Sequence, residues 1–495
     1  MSAGSPSGPQ DPGPGPAPPP WQPPGDDRTV WLREQQTVPP PPPPGRGRPR
    51  WLLPLVAAAA ALAVALAAAG LALAARDRRD GGAAAAPTAG SAPDPPATTA
   101  PARPSAVAAQ LRQIEQQLEQ VRDLRFLRPV PSEVLSNREL ARKLLAEIDR
   151  ETDEADLARQ ARALVLLGEL PAGTELVKLL REVQAESVLG FYVPGTGPGK
   201  GRLYVRSQGG LTPFAEFVLS HELTHAVTDQ HFDLTRSDRL EDQGLDDELL
   251  AYTALAEGDA TLTMQRYLQS QMPPATQVEV AREGLAQTTP KLDRAPAVIR
   301  ESLAFPYQAG LAFVQALDRS GGSAAIDRAY RDPPTSTEQI LHPERYLRRD
   351  DPQQVRVPDL AGALGAGWSG GADVGFGEFD VSLLLGGELA VSTARSAAAG
   401  WDGGRLRTFS RGGATAMVVR TVWDSSAQAD EYCKATARWA NERFGTGTAG
   451  AAPGSGRWAG RGQRAALVCR GTRAAWFSAP DAGALERLVA GLGAP

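Results

Sequence analysis

Two histidines four residues apart with a glutamate between them, in Ser220-His221-Glu222-Leu223-Thr224-His225, restrict this chain more than any other feature. On a helix, positions i and i+4 lie one turn apart on one face, so the segment can present two imidazoles to a single metal ion. Glu222 falls about 100° round the axis from His221, where a carboxylate can take a proton from a metal-activated water. The flanks favour a helix. Thr212 offers an N-cap, Pro213 suits the first helical position, and Phe214 to Gln230 holds no Gly or Pro. Phe214, Val218, His221 and His225 line one side, while Leu219, Leu223, Ala226 and Val227 line the other. A helix apolar on both sides is buried, and buried imidazoles need partners. The chain has 4 His, three of them between 221 and 231. A shared metal explains that spacing better than histidines satisfied one by one in a core.

A third ligand is needed for a zinc site. A second helical segment, from about Asp246 to Ser270, is centred on Ala254-Leu255-Ala256-Glu257-Gly258-Asp259-Ala260. Small residues around one carboxylate let two helices approach closely, and Glu257 is the expected third ligand. The competitor is His231, ten positions after His221. That spacing matches a pattern with glycine at the helix end to turn the chain back to the metal. Here the position holds Thr228, β-branched and poor at positive φ.

The rest of the chain sorts by composition. With 52 Lys+Arg against 57 Asp+Glu the net charge is −5, and no basic stripe points to nucleic acid. Residues 1–50 carry 17 of the 43 prolines and read as a disordered cytoplasmic tail, at most a ligand for a proline-reading domain. Trp51 to Ala75 is uncharged, with seven Leu and thirteen Ala. As a helix it would span about 37 Å, enough to cross a membrane, and it reads as a single transmembrane helix. Arg46, Arg48 and Arg50 before it balance Arg76, Arg78 and Arg79 after it, so charge does not orient it. The Ala/Pro/Thr stalk over 76–105 and the two cysteines beyond it set the bulk outside the cell membrane.

The expected fold class is α+β: a mainly helical zincin-like catalytic domain with a small sheet over 106–350, a Gly-rich linker over 351–377, and a smaller α+β domain over 378–495. Leu111, Ile114, Leu118 and Val121 step as an amphipathic helix, and Ser136 to Glu139 opens another like a capping box. Val188 to Val193 and Arg202 to Val205 read as strands, and an edge strand beside the active-site helix can take an extended peptide. In the C-terminal part, Arg405–Ser410, Thr415–Trp423, Gln463–Arg470 and Thr472–Ser478 read as strands. Asp424 caps a helix running to Phe444, and Ala482–Leu492 is the last helix. Cys433 on that long helix and Cys469 on a strand are expected to form a disulfide. His342, Tyr307 and Tyr346 are candidates for donating to a developing oxyanion.

These residues carry a resemblance. His221-Glu222-Leu223-Thr224-His225-Ala226 with Asp229-Gln230-His231-Phe232 and Glu257-Gly258-Asp259-Ala260 resembles gluzincin-type zinc metallopeptidases of bacterial envelopes. The nearer likeness is to a largely uncharacterised group. Gly190-Phe191-Tyr192, Phe305-Pro306-Tyr307 and Ser336-Thr337-Glu338-Gln339-Ile340-Leu341-His342-Pro343 fit that group as well. The resemblance implies His221, His225 and Glu257 as Zn²⁺ ligands and Glu222 as general base. Where many gluzincins carry an acid four residues after the ligand glutamate to orient a histidine, this chain has Thr261, and Asp229 is a substitute candidate. The expected activity is a membrane-anchored, extracytoplasmic, zinc-dependent peptidase acting on a peptide or protein substrate. The alternative is a non-catalytic envelope binding or scaffold protein with a structural or vestigial zinc site.

Overall fold

The computed structural model describes residues 104–493 except 152, 185–188 and 208. The expected tail over 1–50, the expected span over 51–75 and nearly all of the stalk lie outside the described residues. Among the described residues no helix is long and apolar enough to cross a membrane. What is described is α+β.

The first half is helical around a small sheet. Helix α1 (Pro104–Arg122) is followed by β1 (Ser132–Leu135), α2 (Asn137–Glu151), α3 (Glu154–Leu167) and α4 (Leu176–Gln184). Strands β2 (Gly190–Val193) and β3 (Arg202–Arg206) then lead into α5 (Pro213–Phe232), the helix of the H-E-x-x-H segment. After it come α6 (Arg236–Asp242), α7 (Asp246–Gln271), α8 (Pro274–Ala286), α9 (Pro290–Arg294), α10 (Ala297–Arg331), α11 (Thr337–Leu341) and α12 (Pro343–Arg348). The expected amphipathic stripe is real. Val107, Leu111, Ile114 and Leu118 of α1 are buried in one cluster with Phe214, Phe217 and Val218 of α5 and Met264 and Tyr267 of α7. At α2 the Ser136 backbone N–H donates to Glu139 Oε2 (2.9 Å) while Glu139 N–H reaches back to Ser136 Oγ (3.4 Å), the reciprocal cap read from sequence. The three-stranded sheet runs β1-β3-β2, with β1 parallel and β2 antiparallel to β3, so β2 is an edge strand.

Helices α7 and α10 touch backbone to backbone. A Cβ on Gly258 would stand 2.2 Å from the Gly310 carbonyl oxygen, and one on Gly310 would stand 2.1 Å from that of Ala254. The small residues around Glu257 do permit a close approach, and the helix that comes backbone to backbone is α10. Helix α10 breaks at Gly321 and Gly322, the latter at φ 63°, so that it is two helices joined at a kink.

The second half contains α13 (Ala361–Leu364), β4 (Ser369–Gly375), α14 (Glu378–Gly386), α15 (Val391–Ala398), β5 (Trp401–Arg411), β6 (Ala414–Trp423) and α16 (Ser426–Phe444). It closes with β7 (Thr448–Ala449), β8 (Gly456–Gly460), β9 (Gln463–Arg470), β10 (Arg473–Ala479) and α17 (Ala482–Leu492). The seven strands form one antiparallel sheet in the order β4-β5-β6-β10-β9-β8-β7. The strands and helices expected in this region are present, with Ser425 rather than the expected Asp424 capping α16. So is the disulfide, which joins Cys433 of α16 to Cys469 of β9.

The expected linker over 351–377 is corrected. Its last part is strand β4, paired with β5 and burying Ala372 and Val374, with Phe376 just beyond. The glycines that suggested flexibility serve packing here: a Cβ on Gly371 would lie 2.4 Å from Thr408 Oγ1. Nor does the apolar core stop at the linker. Leu157, Leu164, Leu176 and Leu180 of α3 and α4 share one cluster with Trp401, Leu406, Trp423, Trp439 and Trp476. Arg443 of α16 donates to the carbonyl oxygens of Val165 and Leu166 (3.2 and 3.4 Å), satisfying the C-terminal end of α3.

Candidate metal centre

Helix α5 begins as its sequence requires. Thr212 is extended (φ −72°, ψ 160°), its hydroxyl accepts from Ala215 N–H at 3.1 Å, and Pro213 opens the first turn. The helix then runs unbroken past Thr228 to Phe232. The left-handed residue that ends it is Asp233 (φ 59°), five positions beyond Thr228. The chain therefore does not turn back at residue 228. His231 is exposed, and its Nε2 meets the Arg125 carbonyl oxygen at 2.8 Å. It is not a ligand of this centre, and the competing third-ligand assignment is set aside.

His221, His225 and Glu257 are brought together, all buried. His221 Nε2 lies 3.0 Å from Glu257 Oε2 and 3.1 Å from His225 Nε2, and His225 Nε2 lies 3.4 Å from the same oxygen. Among the described residues no other group of three His, Cys, Asp or Glu converges in this way. The triangle fits a metal. Tetrahedral zinc with ligands at 2.0–2.2 Å would hold its donor atoms about 3.3–3.5 Å apart. The observed edges are within a few tenths of an ångström of that. The polar atoms also ask for a cation, since Glu257 Oε1 is buried without a hydrogen-bond partner. Without one, the carboxylate of Glu257 favours charge on His225. Burial disfavours its cation, yet Glu257 beside it overrides this and raises the pKa to about 9. Burial opposes ionisation of Glu257 too, and the two imidazoles outweigh it, lowering the carboxyl to about 2.

Glu222 stands next to the triangle and is buried. Burial pushes its carboxyl above the ordinary value, only partly offset by the charges of His221 and His225. Its Oε2 accepts the backbone N–H of Tyr192, on edge strand β2, at 2.8 Å. Tyr307, on α10 one turn before Gly310, lies with its ring on that of His221 (centroids 6.1 Å, planes 25° apart). Its phenol is directed at Glu257, and burial first, then the charges of Glu257 and Glu222, raise its pKa well above the usual value.

The other expected donors sit elsewhere. His342 follows the end of α11 and turns to the start of α14, where its Nε2 faces Glu378 Oε1 at 3.0 Å. It is not among the groups that bond to, stack on or shift the triad, so its expected catalytic role is not supported by its position. The Tyr346 hydroxyl donates to the Asp332 carbonyl oxygen at 2.8 Å.

Asp229, the candidate for orienting a histidine, is engaged otherwise. Its Oδ2 accepts from the Tyr192 hydroxyl (2.7 Å) and Gly199 N–H (2.9 Å), and its Oδ1 accepts from Leu234 N–H (2.9 Å). Asp259, two residues after Glu257 and hence on the opposite side of α7, pairs with buried Arg122 at the end of α1 (2.8 Å). Tyr330 also donates to it, at 3.1 Å. Arg122 in turn reaches Asp327 of α10 at 2.8 Å, so one guanidinium ties three helices together behind the triad.

Comparison with known proteins adds little about this site. Residues 367–489, which span β4 to α17, match a family described as a domain of unknown function, DUF8575. No curated protein matches the sequence. A solved structure from Chloroflexus aurantiacus, provisionally described as a hydrolase with a novel fold, is similar at 20% identity and a TM-score of 0.34. The similarity covers 50% of this chain and 90% of that one.

Proposed function

We propose that this chain is a zinc-dependent peptidase, with a zincin-like catalytic half anchored by residues 51–75 and lying outside the cell membrane. The observation that carries the reading is the convergence of His221, His225 and Glu257 with a fourth buried group, Glu222, beside them and free of any ligand role. A purely structural zinc site closes its shell with four protein ligands, whereas three ligands and a neighbouring carboxylate belong to a hydrolytic one.

Zinc held by these three residues would polarise a substrate carbonyl and acidify water. The chain's own groups do the rest. Glu222, steadied at Oε2 by Tyr192, takes a proton from the attacking water at its other oxygen and passes it to the leaving amine. Tyr307, held on His221 and directed at Glu257, is placed to donate to the oxyanion that develops on the attacked carbonyl. The edge strand β2, next to Glu222, is where an extended peptide would pair.

Metal analysis of the purified chain combined with proteome-derived peptide cleavage profiling tests the proposal. The expected result is one zinc per chain and internal peptide-bond cleavage that a chelator abolishes. Zinc bound without cleavage of any peptide would favour the scaffold alternative.

A further inference from the structure

Tyr192 is the residue that links strand and helix at this site, and both of its contacts end on α5. Its backbone N–H donates to Glu222 Oε2 at 2.8 Å, and its phenol donates to Asp229 Oδ2 at 2.7 Å. Those two carboxylates are seven residues apart, two turns along one face of the helix, about 10 Å. Tyr192 therefore lies along α5 and is gripped at both ends.

The grip is built rather than incidental. Asp229 is fully buried, and its other bonds, from Gly199 N–H and Leu234 N–H, hold the β2–β3 loop and the end of α5. The phenol lies in a slot that only glycine leaves open, since a Cβ on Gly201 would stand 2.2 Å from Tyr192 Oη. Next to Asp229, Gln230 accepts from Leu127 and Arg128 N–H (2.7 and 3.1 Å), so the same turn of helix fastens a second loop. Strand β2 is an edge strand, paired with β3 on one side only. Pairing with β3 anchors the strand on one side, and the Asp229 contact at the phenol adds a second hold on Tyr192 from the helix side.

We propose that Tyr192 is a positioning residue: Asp229 holds its phenol, and its backbone N–H thereby fixes where the Glu222 carboxylate stands against the His221–His225–Glu257 triangle. This rests on the peptidase reading for its kinetic consequence but not for its mechanical one. Misplacing a reacting group by about an ångström costs up to roughly 100-fold in rate. Glu222 acts on the transition state, so the loss falls on kcat rather than KM.

The test is Tyr192→Phe, which removes one oxygen and leaves the backbone donor in place. It is made in the full chain, with Tyr204→Phe on the adjacent strand as a control outside the clasp. Amide hydrogen exchange at residue 192, zinc content, thermal midpoint, and kcat and KM on a peptide that the parent cleaves are measured. For Tyr192→Phe we expect exchange faster by tenfold or more, unchanged zinc, a kcat roughly 10–100-fold lower and KM within about threefold. Tyr204→Phe should leave kcat and exchange at residue 192 as in the parent. Unchanged exchange in Tyr192→Phe overturns the clasp whether or not the protein is a peptidase. Faster exchange with kcat unchanged overturns the positioning role. A parent that cleaves nothing but shows the expected exchange difference supports the clasp while removing the peptidase reading.

Discussion

At the scale of single residues, the ligand assignment rests on where helix α5 stops. Because Thr228 lies inside the helix and Asp233 ends it, His231 is carried away from the triangle to the Arg125 carbonyl, while Glu257 arrives from α7. Glu257→Ala is therefore expected to lose zinc, and His231→Ala to retain it at parental stoichiometry, as read by metal analysis of the two purified variants. Loss of metal from His231→Ala alone would reverse the assignment. His221, His225, Glu222 and Glu257 were all legible in the sequence, because helical spacing and the apolar setting of one glutamate depend only on near neighbours. Tyr192 and Arg122 were not. Their roles come from a strand edge laid against a helix and from an ion pair 137 residues apart, and no local pattern encodes either. His342 illustrates the converse: a rare residue in a distinctive motif drew attention, yet its imidazole meets Glu378 rather than the triad.

At the scale of elements, the crossing of α7 and α10 decides whether Glu257 and Tyr307 can serve one site. Gly258 is the residue after Glu257, and Tyr307 is three residues before Gly310, so the glycine contact and the site are the same crossing seen from two sides. Gly258→Ala places a methyl group against backbone that cannot swing aside. Overpacking of this kind typically costs about 1–3 kcal/mol, and the helices must part. The expected outcome is a lower thermal midpoint together with weaker zinc retention in a chelator competition. Parental values for both would show that the close approach is not needed. Caps made most elements legible. Thr212 and Ser136 with Glu139 each mark a helix start by side-chain chemistry that works within three residues, whereas α16 is capped by Ser425 rather than the expected Asp424. Strand β4 escaped because glycines read as a linker, and their packing use against Thr408 depends on a strand that follows more than thirty residues later. Strand β1 escaped because it is short and mostly exposed, and a parallel partner beyond three helices and another strand is what makes it a strand.

At the scale of the whole molecule, two expected domains turn out to share apolar core, with Arg443 closing the end of α3 and the Cys433–Cys469 disulfide tying α16 to the sheet. Periodicity finds elements but is silent on which faces meet, so a glycine-rich stretch was the best available boundary. The proposed placement has the folded part outside the cell and residues 1–50 inside. Protease added to intact cells should then remove the region beyond residue 81 and spare the Pro-rich tail. Protection of the folded part with loss of the tail would invert the topology. For activity, the proposed mechanism requires that Glu222 work beside the metal without holding it. The direct measurement is zinc content and peptide hydrolysis, side by side, in Glu222→Gln, His221→Ala and His225→Ala. The amide in Glu222→Gln keeps the size of the side chain but cannot accept a proton, so zinc should stay and hydrolysis should fall by at least about 10²-fold. Both histidine variants should lose zinc and activity together. Hydrolysis at the parental rate in Glu222→Gln, with zinc bound, would contradict the account.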